Sequence, residues 1–304
     1  MESYRQNIRV FLAFFAPTAG WLLLFFLVPL AIIWMYSFGE NVTLTEIKTT
    51  WTLRNYQRIW EPEIIGLFWR TLWLAGISTF ICLIVGYPVA LVIATSSAKW
   101  KPWLLLIIIL PFWTNLLIRT YALLNILGTR GRLNDVLGAI WGGADWVLSG
   151  IGLDGLIGER FQAFTFLGTP TGVVIGLVYV ALPFTVLPIY AALERLDKSY
   201  LEASLDLGAG QFRTFFSILL PLTMTGVITA AIITFIPTLG SFLTPDLLGR
   251  GQVDMISNVI ERQFKSANDW PFGSAMSLFL LYVTFIVLAI QSLAAMRNSG
   301  RGHG

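Results

Sequence analysis

The sequence is poor in the residues on which most soluble enzymes depend. It holds one cysteine, Cys82, one histidine, His303, and 12% charged residues, about half the charged share of an average soluble domain. A single cysteine excludes a disulfide framework and a thiolate metal site. A single histidine, next to last in a Gly-rich tail, excludes an HExxH zinc site and reads as a solvated tail residue. No GxSxG is present, so an intramembrane hydrolase has little to work with. No G-x4-G-K-[ST] stretch occurs either, so the chain lacks the usual phosphate loop for ATP hydrolysis. The net charge is only +3, and no basic run suggests nucleic acid.

Apolar residues make up 56% of the chain. A bilayer core takes about 20 of them per helix, and six stretches qualify: about 10–38, 67–95, 103–127, 171–193, 219–243 and 272–294. None of the six contains Asp or Glu. The expected fold is therefore all-α, a polytopic membrane protein of about six transmembrane helices forming one domain over residues 1–304. The first stretch exceeds the ~7–15 residues of a signal-peptide core and lacks an A-x-A pattern before Gly39, so it should remain as an anchor. Lys and Arg nearly tie between the two sides. The short inner segments carry the higher positive density, while the outer ones hold most acids, including Glu61, Glu63, Asp135, Asp154, Asp246 and Asp254. That bias predicts cytoplasmic N- and C-termini. The outer segment 128–170 is rich in Gly and Trp. Its pieces read as too short to span, and as interfacial helices with Trp141 and Trp146 at headgroup depth.

The longest inner segment, 194–217, has the marks of a short helix with a start and a stop. Asp197 or Ser199 can cap its beginning, and Glu202 lies near that end, where negative charge is favoured. Gly208 and Gly210 should end it by accepting the left-handed conformation of a C-terminal cap. Its apolar residues Leu201, Leu205 and Phe212 are available to a partner's groove.

At this loop the chain resembles the permease subunits of ABC importers, whose pattern is E-A-A-x3-G-x9-I-x-L-P. Here Glu202-Ala203-Ser204 is followed by Gly208, then Ile218, Leu220 and Pro221. Only Ser204, in place of a second Ala, departs from it, a small-for-small change. The resemblance implies the type I importer permease fold in a bacterial inner membrane. It also implies that the loop is a coupling helix seated on a cytoplasmic ATPase dimer, with spans four and five as levers. ATP and Mg²⁺ would then belong to that ATPase, leaving this chain without a cofactor. A second homologous permease would complete the pore, and an extracytoplasmic solute-binding protein would deliver the substrate. Further stretches, Trp51–Tyr56, Pro111–Tyr121, Leu182–Pro188, Phe235–Pro237 and Pro245–Gly249, are similar to the spermidine/putrescine branch of these permeases. They imply a polyamine substrate, with another small charged solute as the alternative, since the branch serves several solutes.

Arg119 is the one ionisable residue well inside a span. It is expected roughly 24 Å along the third helix from its cytoplasmic end, at 1.5 Å per residue. A membrane-buried Arg costs at least about 2.5–3.5 kcal/mol, so it should find a partner. It reads either as a gate or contact with the binding protein or an anionic group, or as a tie to backbone carbonyls or to Asp135. A polycation wants carboxylates or aromatic faces. Trp113, Tyr121, Tyr179 and Phe242 can line a path or serve lipid contact and packing. Asp246, at the outer end of span five, can pair an entering ammonium or cap a turn. Pro17, Pro29, Pro88, Pro111, Pro183, Pro188 and Pro237 interrupt the spans, either at a transport path or as ordinary kinks. A secondary transporter would ordinarily place carboxylates inside the membrane, and these spans have none.

Overall fold

A π-helical turn interrupts the first apolar helix just where its sequence places a proline. In the computed structural model, which describes residues 8–43, 47–150, 161–197 and 199–300, α1 (Ile8–Leu22) passes through this turn, Leu23–Leu27, into α2 (Val28–Ser37). Pro29 lacks an N–H and its ring crowds the carbonyl four residues back, and the Val28 N–H donates to Leu23 O, five residues back. The strands β1 (Gly39–Asn41) and β2 (Ile47–Thr49) then pair antiparallel, with Gly39 opposite Thr49.

Beyond the hairpin come α3 (Arg54–Ile59), α4 (Pro62–Thr95), α5 (Lys101–Ile109), a 3-10 turn (Leu110–Trp113), α6 (Leu116–Leu127), α7 (Arg132–Gly150) and α8 (Pro170–Glu194). The chain continues through α9 (Ser199–Asp206), α10 (Gln211–Thr214), a second π turn (Phe215–Leu219), α11 (Leu220–Leu222), α12 (Met224–Leu239), α13 (Leu243–Gly249), α14 (Ile256–Lys265) and α15 (Trp270–Gly300). Lys198, Asp154, His303 and the side chain of Trp146 lie outside the described residues.

Four unbroken stretches, Phe14–Ser37, Pro62–Thr95, Pro170–Glu194 and Trp270–Ala289, are long and apolar enough to cross a bilayer. Two bent pairs, Lys101–Trp113 with Leu116–Asp145 and Gln211–Leu222 with Met224–Leu239, bring the number to 6 if each pair is one span. The helices over the third and fifth expected spans, 103–127 and 219–243, are thus broken, by 98° and 67°. In the third, Pro111 sits in the 3-10 turn, Thr114 is extended (ψ 146), and Asn115 Oδ1 accepts from Leu117 N at 2.8 Å to start α6 afresh. In the fifth, the second π turn precedes Pro221 and Thr223 leaves the helical region (φ −98, ψ 6). Pro17, Pro88, Pro183, Pro188 and Pro237 instead lie inside continuous helices.

Within the segment 128–170, Arg132–Gly150 form one helix of 19 residues, α7, about 28 Å long. Asn134 fixes its start: Nδ2 donates to Gly128 O (3.1 Å) and Phe164 O (2.9 Å), and Oδ1 accepts from Phe164 N.

The described chain packs as two units. The first takes residues up to Ile65 together with Val259–Phe285. Buried Asn55 donates to Ser37 O and Gly39 O at 3.0 and 2.9 Å, closing the turn out of α2. Ser37 Oγ bonds Tyr56 OH at 2.9 Å, and burial raises the Tyr56 phenol above its ordinary pKa. Arg58 meets Asp269 at 2.8 Å and lies 3.8 Å from the centre of the Phe272 ring. The pair is partly exposed, so its charge contributes about 1 kcal/mol or less.

The second unit takes Gly66–Asn258 and the residues from Ile286 on. One cluster joins Leu74 of α4, Leu123 and Leu127 of α6, Val173 and Leu177 of α8, and Leu248 of α13. Another joins Tyr87, Ala90 and Ile93 of α4 with Val186 and Ile189 of α8 and Ala230 of α12. Between helices of equal apolarity to lipid, close packing replaces the hydrophobic drive, and small residues permit it. At Gly226 an added Cβ would strike Ala192 Cβ and Pro188 O, so α8 and α12 touch nearly backbone to backbone.

Candidate functional site

The loop 195–223 builds a compact two-helix element. Asp197 Oδ1 accepts from Ser199 N at 3.0 Å, making Asp197 rather than Ser199 the side chain that starts α9. The Ser199 backbone and side-chain bonds hold its carboxyl below the usual range. Glu202 lies exposed in the first turn, where the helix dipole favours it. Gly208 ends the helix at φ +80, and Ala209 N reaches back to Ser204 O at 3.1 Å, the six-to-one bond of a Schellman cap. Gly210, expected to share that role, is instead extended (φ −69, ψ 160) and begins α10. The reason is local: one left-handed residue already reverses the chain.

Of the motif positions, Ser204 is buried, Ile218 is half-buried in the π turn, and Leu220 and Pro221 form α11 with Pro221 exposed. Glu202 and Ala203 face outward. Exposed apolar side chains surround them, Leu207 at 89% and Phe212 at 85%. A cavity of about 820 Å³ lies beside them, lined by Leu91 and Val92 of α4, Leu201 and Leu205 of α9, and Phe212 and Phe215. At the neighbouring helix ends, Lys101 Nζ bonds both oxygens of Glu194, at 2.8 and 2.7 Å. Each of these charges opposes its own helix dipole, and the pairing offsets both.

Three hydroxyl pairs, which the sequence reading did not single out, fasten the fifth span. Ser204 Oγ bonds Thr214 Oγ1 at 2.9 Å, Tyr87 OH bonds Thr223 Oγ1 at 2.8 Å, and Thr185 Oγ1 bonds Thr234 Oγ1 at 2.7 Å. Thr223 Oγ1 donates to Leu219 O at 2.7 Å, so Tyr87 is the donor in its pair. Other anchors were missed as well: Asn258 Nδ2 donates to Phe242 O at 2.7 Å, and Ile256 N to Thr71 Oγ1 at 2.8 Å. The available signal was the hydroxyl itself, Ser or Thr at the inward positions of otherwise apolar helices.

Arg119 lies in the first turn of α6, five residues past the extended Thr114, and not 24 Å along a straight helix. It is 8% exposed. Nη2 donates to Thr114 O at 3.4 Å, whereas Nε and Nη1 are buried without a partner among the described residues. Asp135 is exposed in the first turn of α7 and is not its partner. Trp113, Tyr121, Tyr179 and Phe242 are exposed, whereas Arg119 is buried. Phe242 and Asp246 lie beyond the fifth span, which ends at Leu239, and Asp246 is exposed in α13 rather than in a turn.

The geometry describes a helical membrane subunit with two broken spans and a protruding apolar loop. The sequence matches the family described as "Binding-protein-dependent transport system inner membrane component" over residues 8–299. The spermidine/putrescine transport system permease protein PotB of Haemophilus influenzae is 37% identical over 289 residues, 94% of this chain and 92% of that protein. PotB of Escherichia coli is 40% identical over 271 residues, covering 89% and 92%. Among solved structures, a bacterial ABC transporter importing the acidic polysaccharide alginate aligns with TM-score 0.68 at 19% identity, covering 98% of this chain and 99% of that one. Fold and sequence together define the class, a multi-pass permease of the ABC importer type. The chain belongs to the family of inner membrane components of binding-protein-dependent transport systems.

Proposed function

We propose that this chain is the permease subunit of an ATP-driven polyamine importer, carrying spermidine or putrescine through a pore of which it forms half. The observation that carries the reading is its 37–40% identity to PotB proteins over about nine-tenths of its length. The whole chain acts as one permease domain with both termini cytoplasmic. The α9–α10 element docks on a separate ATPase dimer that holds ATP and Mg²⁺. A second homologous permease completes the pore, and a solute-binding protein feeds it from outside.

The loop geometry supports this mechanism. Leu207 and Phe212 offer an apolar knob on a rigid, capped element, as a groove on an ATPase would require. When the ATPase dimer closes, α9 moves and draws α8 on one side and the α10–α12 arm on the other. Along the path, exposed Trp113, Tyr121, Tyr179 and Phe242 can receive ammonium groups by cation–π contact. Asp246 stands at the rim. The carboxylates absent from these spans come from the partner permease.

One observation favours another small charged solute: the spans carry no acid and bury one guanidinium. Uptake of radiolabelled spermidine and putrescine into vesicles bearing the full complex separates the readings. ATP-dependent uptake of either is expected. Its absence from the wild type retires the polyamine, while a reporter after Ala98 reading as external would overturn the orientation.

A further inference from the structure

We propose that Ser204 is a positioning residue for coupling: its hydrogen bond to Thr214 locks the coupling helix to the base of the fifth span, so that both move as one body. The inference rests on the coupling role proposed above and names the joint through which it works. Ser204 is the one buried residue of α9, at 5% exposure, and Thr214 the one buried residue of α10, at 7%. Their hydroxyls meet at 2.9 Å. Half-buried Leu201 also holds α9, packed at the edge of the second apolar cluster. Apolar contacts slide at little cost, whereas a hydrogen bond has a preferred distance and angle. The hydroxyl pair is therefore what fixes the register between the two helices.

The joint also sits at the right place in the lever. Thr214 leads directly into the π turn Phe215–Leu219, and nine residues further Thr223 forms the elbow, held by Tyr87 of α4. Motion of α9 thus reaches a fixed pivot through a short, hydrogen-bonded arm. The alanine of the family's loop pattern would lack this bond, so Ser204 is an added constraint and not a silent replacement.

Spin labels at Tyr200 of α9 and Gln211 of α10, both exposed, test the joint in the complex purified with its ATPase. The single native cysteine, Cys82, is buried. The wild type should give one narrow distance, unchanged between the nucleotide-free and ATP-trapped states. Ser204→Ala should broaden it, and the exchanged pair Ser204→Thr with Thr214→Ser should restore it. Solute moved per ATP hydrolysed should fall about three- to tenfold in Ser204→Ala, the scale of one hydrogen bond's net contribution. This ratio is independent of how much complex folds. Ser204→Ala with Thr214→Val should remain as uncoupled as the single variant; recovery there would mean that only an orphaned hydroxyl was harmful, and would overturn the proposal. So would a wild-type distance that changes with nucleotide, or a narrow distance in Ser204→Ala. Failure of the coupling reading itself looks different: no ATPase accompanies the purified chain, and the label widths still decide the joint.

Discussion

At the elbow of the fifth span, Thr223 gives its proton to Leu219 O and receives one from Tyr87, so the break is closed within the chain. At the break of the third span, Arg119 keeps two buried donors without a partner among the described residues, and Trp113, Thr114 and Asn115 are exposed. Both breaks lie beside a proline, yet only one is self-sufficient. A satisfied elbow can transmit force, because its geometry is set by internal bonds. An unsatisfied break at membrane depth is tolerated only against other protein or a water-filled path. On the proposed assembly, the third-span break is therefore the face turned to the second permease or to the pore. The buried cation at the positive end of α6 also marks the point where a polycation is least welcome.

The largest effect should come from disabling the loop proposed to drive the elbow. Gly208→Pro forces φ from +80 to about −65, and Glu202→Lys puts a cation at a helix N-terminus. Each should cut ATP-driven uptake at least about tenfold, the loss of more than one hydrogen bond, with the chain still in the membrane. Normal uptake in both would remove the fifth span as a lever and dissolve the contrast. Tyr87→Phe sharpens it: Thr223 retains Leu219 O, so uptake per ATP should fall about three- to tenfold. Asn115→Ala, at the other break, should instead lower stability by about 0.5–2 kcal/mol through loss of a helix cap, read as a lower melting temperature without a change in that ratio.

Much of this was legible beforehand, and the exceptions have physical causes. The six apolar stretches follow from bilayer thickness, and the ends of α9 from Asp197 and Gly208, whose roles are local. The breaks were not legible from proline alone, since Pro88, Pro183, Pro188 and Pro237 ride inside continuous helices. Neighbouring helices can absorb a missing N–H. What ended the third helix was Pro111 followed by a polar Thr114-Asn115 pair able to cap a new one. The hydroxyl pairs join residues as far apart as Tyr87 and Thr223, and no local pattern announces such a pairing.

Smaller effects probe the charge missing from the spans. Asp246 is exposed, and an exposed ion pair is worth under about 1 kcal/mol. Asp246→Asn should weaken spermidine uptake about threefold, and unchanged uptake would leave the rim without a role in capture. Arg119→Met should leave the permease as stable as before or up to about 1 kcal/mol more stable, since it removes a buried cation with unpaired donors. A clear fall in melting temperature would show that the guanidinium is satisfied and that the two breaks are alike.

The most direct measurement is a photo-crosslinker placed at Leu207, 89% exposed beside the Gly208 cap, in the complex purified with its ATPase. A second site, Trp60, between α3 and α4 and 69% exposed, serves as the reference, external in the orientation proposed above. Illumination should join the Leu207 position to the ATPase and leave the Trp60 position unjoined to it. An ATPase adduct from Trp60, or none from Leu207, would contradict both the coupling role of the loop and the orientation of the chain.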